Sequence, residues 1–134
     1  MATFQKFNQF VEDLAKGVHN LSTGQLKVAL TNTAPVAANS VYADLTSPLA
    51  TTNLSGANPF NVTTTSAEQT SGTLSLVLVD LTLTATGAVG PFRYVVLYND
   101  TPTSPADPLI GFYDYGSSVT MASSETFLID FAAT

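Results

Sequence analysis

From Gln25 onward the chain is divided into short apolar runs that alternate residue by residue, each bounded by Gly, Pro, Asn or Asp. A period of two puts successive side chains on opposite faces of an extended strand, so these runs predict half-buried β-strands. In QLKVALT, Leu26, Val28 and Leu30 share one face while Lys27, Ala29 and Thr31 share the other. SVYADL follows as a second short strand, and TSPLATTNLSGANPF, residues 46–60, predicts a long surface loop with two prolines and no charge.

The next segment, NVTTTSAEQTSGTLSLVLVDLTLTAT, predicts one or two strands. Leu74, Leu76 and Leu78 have one parity, whereas Val77, Val79, Leu81 and Leu83 have the other. That switch implies burial on both faces or a bulge near Val77 to Val79. Gly87 and Gly90 interrupt the run, and Pro91 is expected to open the strand PFRYVVLYN or lie at its edge. LIGFYDY is a further strand ended by Gly116, followed by SSVTMA and ETFLIDF, with Phe127, Ile129 and Phe131 on one face. About seven or eight short strands at regular turn spacing predict a mainly β antiparallel sandwich or barrel in one domain, residues 1–134.

The N-terminus has a different period. Phe4, Phe7, Phe10, Val11 and Leu14 recur at intervals of three and four, which predicts one short amphipathic helix over 3–17, capped by Thr3 and ended by Gly17. So short a helix requires a surface to pack on.

Composition narrows the function. The net charge is −6, and the cations are Lys6, Lys16, Lys27 and Arg93. Scattered cations cannot neutralise a run of phosphates, so neither nucleic acid nor an anionic membrane surface is an expected partner. There is no cysteine, which removes disulfides and thiolate chemistry. MATFQKFNQFVEDL carries charges within its apolar pattern and does not read as a signal peptide.

No phosphate-binding glycine loop, nucleophile elbow or metal-ligand cluster occurs, so no enzyme, metal or cofactor is expected. His19, the single histidine, follows the helix and reads as structural or exposed. Asp44, Asp100, Asp107 and Asp114 fall at strand ends and turns, where Asp bonds nearby backbone amides. Asp80 and Asp130 interrupt strands, and an Asp130–Arg93 pair is conceivable. Asn99, Asp100 and Asp107 lie in one connection but lack the spacing of a calcium loop. The Asn-x-Ser/Thr triplets at Asn20, Asn53, Asn61 and Asn99 are expected by chance in so Asn- and Thr-rich a chain.

Residues 90–116 hold four of the five tyrosines and the only arginine. Phe92, Tyr94, Val96 and Tyr98 have one parity and are the expected core face. Tyr113 and Tyr115 share another face. Tyrosine contributes contact area with a polar tip, so that face is a candidate for a partner.

The phrases LKVALTNTAPV, QTSGTLSLVLVDLTLTATG, GPFRYVVLYNDT, PLIGFYDYGSSVTM and ETFLIDF, after an amphipathic start, resemble small structural proteins of tailed bacteriophages. Among these the chain looks most like head-decoration, or cement, proteins, over most of its length apart from 46–60. The resemblance implies a jelly-roll-like β-sandwich that forms homo-oligomers. It also implies the major capsid protein as partner, and a place on the outer capsid surface of a virion after synthesis in the host cytoplasm. It carries over no catalytic residue. The chain ends soon after its last strand with no C-terminal anchoring arm, so any extended reach is expected from the N-terminus or the 46–60 loop.

On this reading the candidate oligomer or capsid interface is Phe4, Phe7, Phe10, Leu14, Tyr113 and Tyr115. The alternative for the Phe-rich face is a helix that closes its own sandwich. Rival functions are a tail, neck or baseplate protein of the virion, and a carbohydrate-binding module using Tyr113 and Tyr115.

Overall fold

A computed structural model describes residues 3–131. The elements are β1 (Phe4–Lys6), α1 (Asn8–Ala15), β2 (Leu26–Thr31), a 3-10 turn (Tyr42–Asp44), β3 (Asn61–Val62), β4 (Thr64–Thr70), β5 (Thr73–Leu78), β6 (Leu81–Thr84), β7 (Val89–Asn99), β8 (Leu109–Met121) and β9 (Thr126–Ile129). The fold is mainly β with one short helix. A five-stranded sheet has the order β1-β8-β7-β2-β3, and β4-β5 and β6-β9 form two-stranded ribbons. All pairings are antiparallel.

Both faces of the five-stranded sheet are covered. On one, Val28, Leu30, Val95, Leu97 and Ile110 join Leu83 and Ile129 of the β6-β9 ribbon, Phe10 of α1, and Leu54 and Phe60 from the 46–60 loop. On the other, Ala29, Val96, Leu109 and Phe112 pack with Phe7 and Leu45, and Tyr42 leans on the same cluster. Burying each large side chain contributes about 1.5–3 kcal/mol. Phe127, Ile129 and Phe131 do share the inward side, against the first cluster.

Several local expectations are corrected. The helix over 3–17 shortens to α1, because Phe4, Gln5 and Lys6 pair with Tyr113, Phe112 and Gly111 as a strand. Sheet pairing of the backbone prevails over the helical spacing of the phenylalanines. Phe7, in extended conformation and with no side-chain bond, takes the capping position in place of Thr3. SVYADL is not a strand. The Asp44 carboxylate accepts the N–H groups of Ser40 and Val41, which closes the 3-10 turn.

LIGFYDY does not stop at Gly116. β8 runs on to Met121 and pairs again with β7 at Phe92↔Val119 and Val89↔Met121. β7 begins at Val89, not Pro91, and its register shifts between Val89 and Phe92 accommodate the proline. Gly90 has φ +126°, and a Cβ there would lie 2.6 Å from the Val119 carbonyl oxygen, so only glycine fits.

Phe92, Val96 and Tyr98 are buried and Tyr94 half-buried, as expected of core, but the four do not share one face. A second register shift between Phe92 and Tyr94 puts Phe92 with the first cluster and leaves the other three on the opposite face. Near Val77 to Val79 the chain breaks between β5 and β6, and the bulge itself lies on the partner strand between Thr64 and Ser66.

Candidate docking cleft

Of the six expected interface residues, the structure brings three together. Phe7 and Phe10 are buried and Leu14 is half-buried within the chain, a placement that favours the helix closing its own fold. Tyr113 and Tyr115 instead line a surface cleft, and Phe4 stands against Tyr113. The phenyl ring of Phe4 lies over Gly111, the one side-chain-free position that leaves room for it, and stands 5.2 Å from the Tyr113 ring. Gly111 is fixed there by the β1-β8 register, which sets Lys6 opposite it.

The cleft has a volume of about 220 Å³. One wall is Tyr113 and Tyr115 of β8, the other is Phe127, Leu128, Ile129 and Asp130 along β9, and Val95 forms the floor. Tyr115 meets Phe127 edge-to-face at 5.2 Å yet stays 55% exposed, and Leu128 is 57% exposed. Pockets that enclose small molecules run to roughly 300–1,000 Å³. This cleft is smaller and apolar, a size suited to side chains of a partner.

Burial, assisted by the nearby Asp130 carboxylate, raises the Tyr113 hydroxyl above the usual phenol value, so it stays protonated at neutral pH. Asp130 is exposed and takes no part in an ion pair among the described residues. Arg93 does not reach it. The guanidinium binds Asp114 on the neighbouring strand, Nε to Oδ1 at 2.8 Å and Nη2 to Oδ2 at 3.1 Å. Asp80 accepts the Phe131 N–H at 2.9 Å, which ties the end of β9 to the start of β6.

The remaining polar candidates are structural in their contacts. His19 is buried against the Phe10 ring, with Nδ1 3.1 Å from the Asn99 amide nitrogen. Asn99 Oδ1 accepts the Thr101 N–H, so its NH2 group faces His19, Nδ1 is the acceptor and the ring proton sits on Nε2. Burial lowers the His19 pKa, opposed by Asp13. Asp100 is held by Lys27 at 3.3 Å, and burial together with a hydrogen bond to Asp100 raises the Asp107 carboxyl. The Asp100 and Asp107 carboxyls thus lie within hydrogen-bond reach of each other, with the Lys27 ammonium beside Asp100. Among the described residues no group of three or more His, Cys, Asp or Glu side chains is placed to hold a metal ion. No described helix is long and apolar enough to cross a membrane.

A second cavity of about 340 Å³ lies between Tyr98, Tyr42 and the 46–60 loop, with Lys27 and Asn61 at its wall. Tyr42 and Tyr98 stack at 5.0 Å there, and burial raises both hydroxyls.

Leu128 was missed by sequence reasoning, and Asp130 was considered only as a partner of Arg93. The signal was present in ETFLIDF, where the outward parity of Thr126, Leu128 and Asp130 carries one apolar residue with no inward role. No protein-family model matches this chain, and no curated protein or solved structure does.

Proposed function

We propose that the chain is a structural protein of a tailed-bacteriophage virion, decorating the outside of the head and stabilising it against the pressure of packaged DNA. One observation carries the docking part of this reading: the apolar cleft between β8 and β9, lined by Tyr113, Tyr115, Phe127 and Leu128. The virion part is supported by the resemblance of the strand and turn phrases. A jelly-roll-like sandwich, a homo-oligomeric state and the major capsid protein as partner belong to the same reading.

Physically, a cement protein adds contacts that bridge neighbouring shell subunits. Many bound copies then convert modest individual contacts into a stable coat through avidity. The test is the copy number on purified heads, with electron microscopy of labelled particles. A stoichiometry comparable to the capsid subunit, with label over the head, is the expected result. A few copies at the tail, neck or baseplate would sink the decoration reading in favour of another virion role.

A further inference from the structure

Four consecutive residues, Phe127 to Ile129 of β9 and Asp130 just beyond it, line the cleft. Successive side chains of a strand point to opposite faces, so a groove touched by all four runs along the strand's edge. That edge is open: among the described residues β9 pairs with β6 alone. Ala85 donates its N–H to the Glu125 carbonyl, and the antiparallel alternation from there turns the backbone groups of Phe127 and Ile129 toward β6. The N–H and C=O of Thr126 and Leu128 are therefore directed outward, beside the tyrosine wall.

We infer that this groove takes an extended segment of a partner protein as an added strand on β9. Apolar side chains at alternate positions of that segment enter the cleft, and a lysine or arginine stands opposite Asp130. Main-chain hydrogen bonds supply affinity in this mode and side-chain pockets supply specificity. The inference deepens the docking reading of the cleft and rests on it.

Charge selects the occupant. Asp130 has no counter-ion among the described residues, and the chain as a whole is acidic, with net charge −6. A second copy is a poorer complement: its net charge is −6, and Lys16, Lys27 and Arg93 are engaged with Glu12, Asp100 and Asp114, which leaves Lys6 as the cation outside the ion pairs of the described residues. A basic, alternating segment of a different protein matches the groove in both shape and charge.

The probe is a displayed library of random decapeptides, panned against the full-length chain and counter-selected with a Leu128→Arg, Asp130→Lys double variant. Both positions are exposed, and an unchanged thermal melt of the variant confirms that its fold is intact. Enriched peptides are expected to alternate apolar residues and to carry Lys or Arg. Asp130→Lys alone should weaken them on the order of tenfold. Binding should slow hydrogen exchange at the Leu128 amide and be lost when the peptide's bonding amides are N-methylated. No enrichment, apolar spacing of three and four, or indifference to N-methylation overturns strand addition. Self-association abolished by Leu128→Arg would make a second copy the occupant and overturn it equally. Successful selection with no copies on phage heads would sink the virion reading alone, while head binding unaffected by the double variant would sink this inference alone.

Discussion

Arg93 clasps Asp114 across the β7-β8 pair with two parallel hydrogen bonds, at 2.8 and 3.1 Å. The fork geometry belongs to guanidinium and carboxylate together, and lysine cannot reproduce it. The guanidinium, followed by the Gly116 N–H, holds the Asp114 carboxyl below the usual carboxylate range. In an Arg93→Met variant, carboxyl-detected NMR titration should show Asp114 moving up toward the ordinary value. It should stop short of it, because the Gly116 bond remains. An unmoved Asp114 would mean that the pair is not formed in solution.

Gly111 is where β1 is most easily detached. A Cβ added there would meet the Phe4 ring and lie 2.6 Å from the Gln5 carbonyl oxygen. Gly111→Ala should cost about 1–3 kcal/mol in urea unfolding, the usual range for overpacking. Adding Phe4→Ala should restore part of that loss, since the ring is one of the two obstacles. Strict additivity of the two changes would contradict this packing.

Phe7 and Phe4 separate core from surface within one short segment. Phe7 is fully buried against Phe112, while Phe4 is 36% exposed. Phe7→Ala should cost about 3–5 kcal/mol, in the range of large core truncations. Phe4→Ala should cost about 1 kcal/mol, the scale of an aromatic contact at the surface. Equal losses in denaturant titrations would show that the two rings are not differently placed.

His19 predicts a pH dependence. Its folded pKa lies below the ordinary 6.5 because burial disfavours the charged ring. The unfolded chain therefore binds the proton first as pH falls. The contribution of neutral His19 is complete above about 6.5 and is lost as pH drops toward the lower folded value. Stability should decline with acidification in that window, no more steeply than about 1.4 kcal/mol per pH unit for one group. His19→Gln should flatten the slope there. Asp107, whose pKa is raised, acts with the opposite sign: its contribution falls as pH rises from the ordinary carboxylate value through the folded one.

The strand content was legible because alternation is a direct image of the pleat: QLKVALT and ETFLIDF face as their parities require. Parity failed where register shifts reset it. Between Phe92 and Tyr94, and again between Leu97 and Tyr98, the pairing slips, and a side chain changes face without any change in composition. The N-terminal misreading has another cause. Phe4, Phe7 and Phe10 recur at helical spacing, yet Phe4 belongs to a strand whose partner lies far away in sequence, at Tyr113. Of the candidate site, the tyrosine wall was visible as a pattern. The open edge of β9 was not, because whether a strand's outer edge is covered depends on what every other strand does.

The pairing of Phe4 with Tyr113 sets an order of events during synthesis. The strand made first finds its neighbour only after almost the whole chain has left the ribosome. Until β8 emerges, Phe7 lacks Phe112, and the cluster around Phe10 lacks Ile110 and Met121. Long-range closure of this kind is slow, and it leaves apolar surface in water while translation proceeds. The N-terminal segment, made first and paired late, therefore carries its apolar side chains unprotected through most of synthesis.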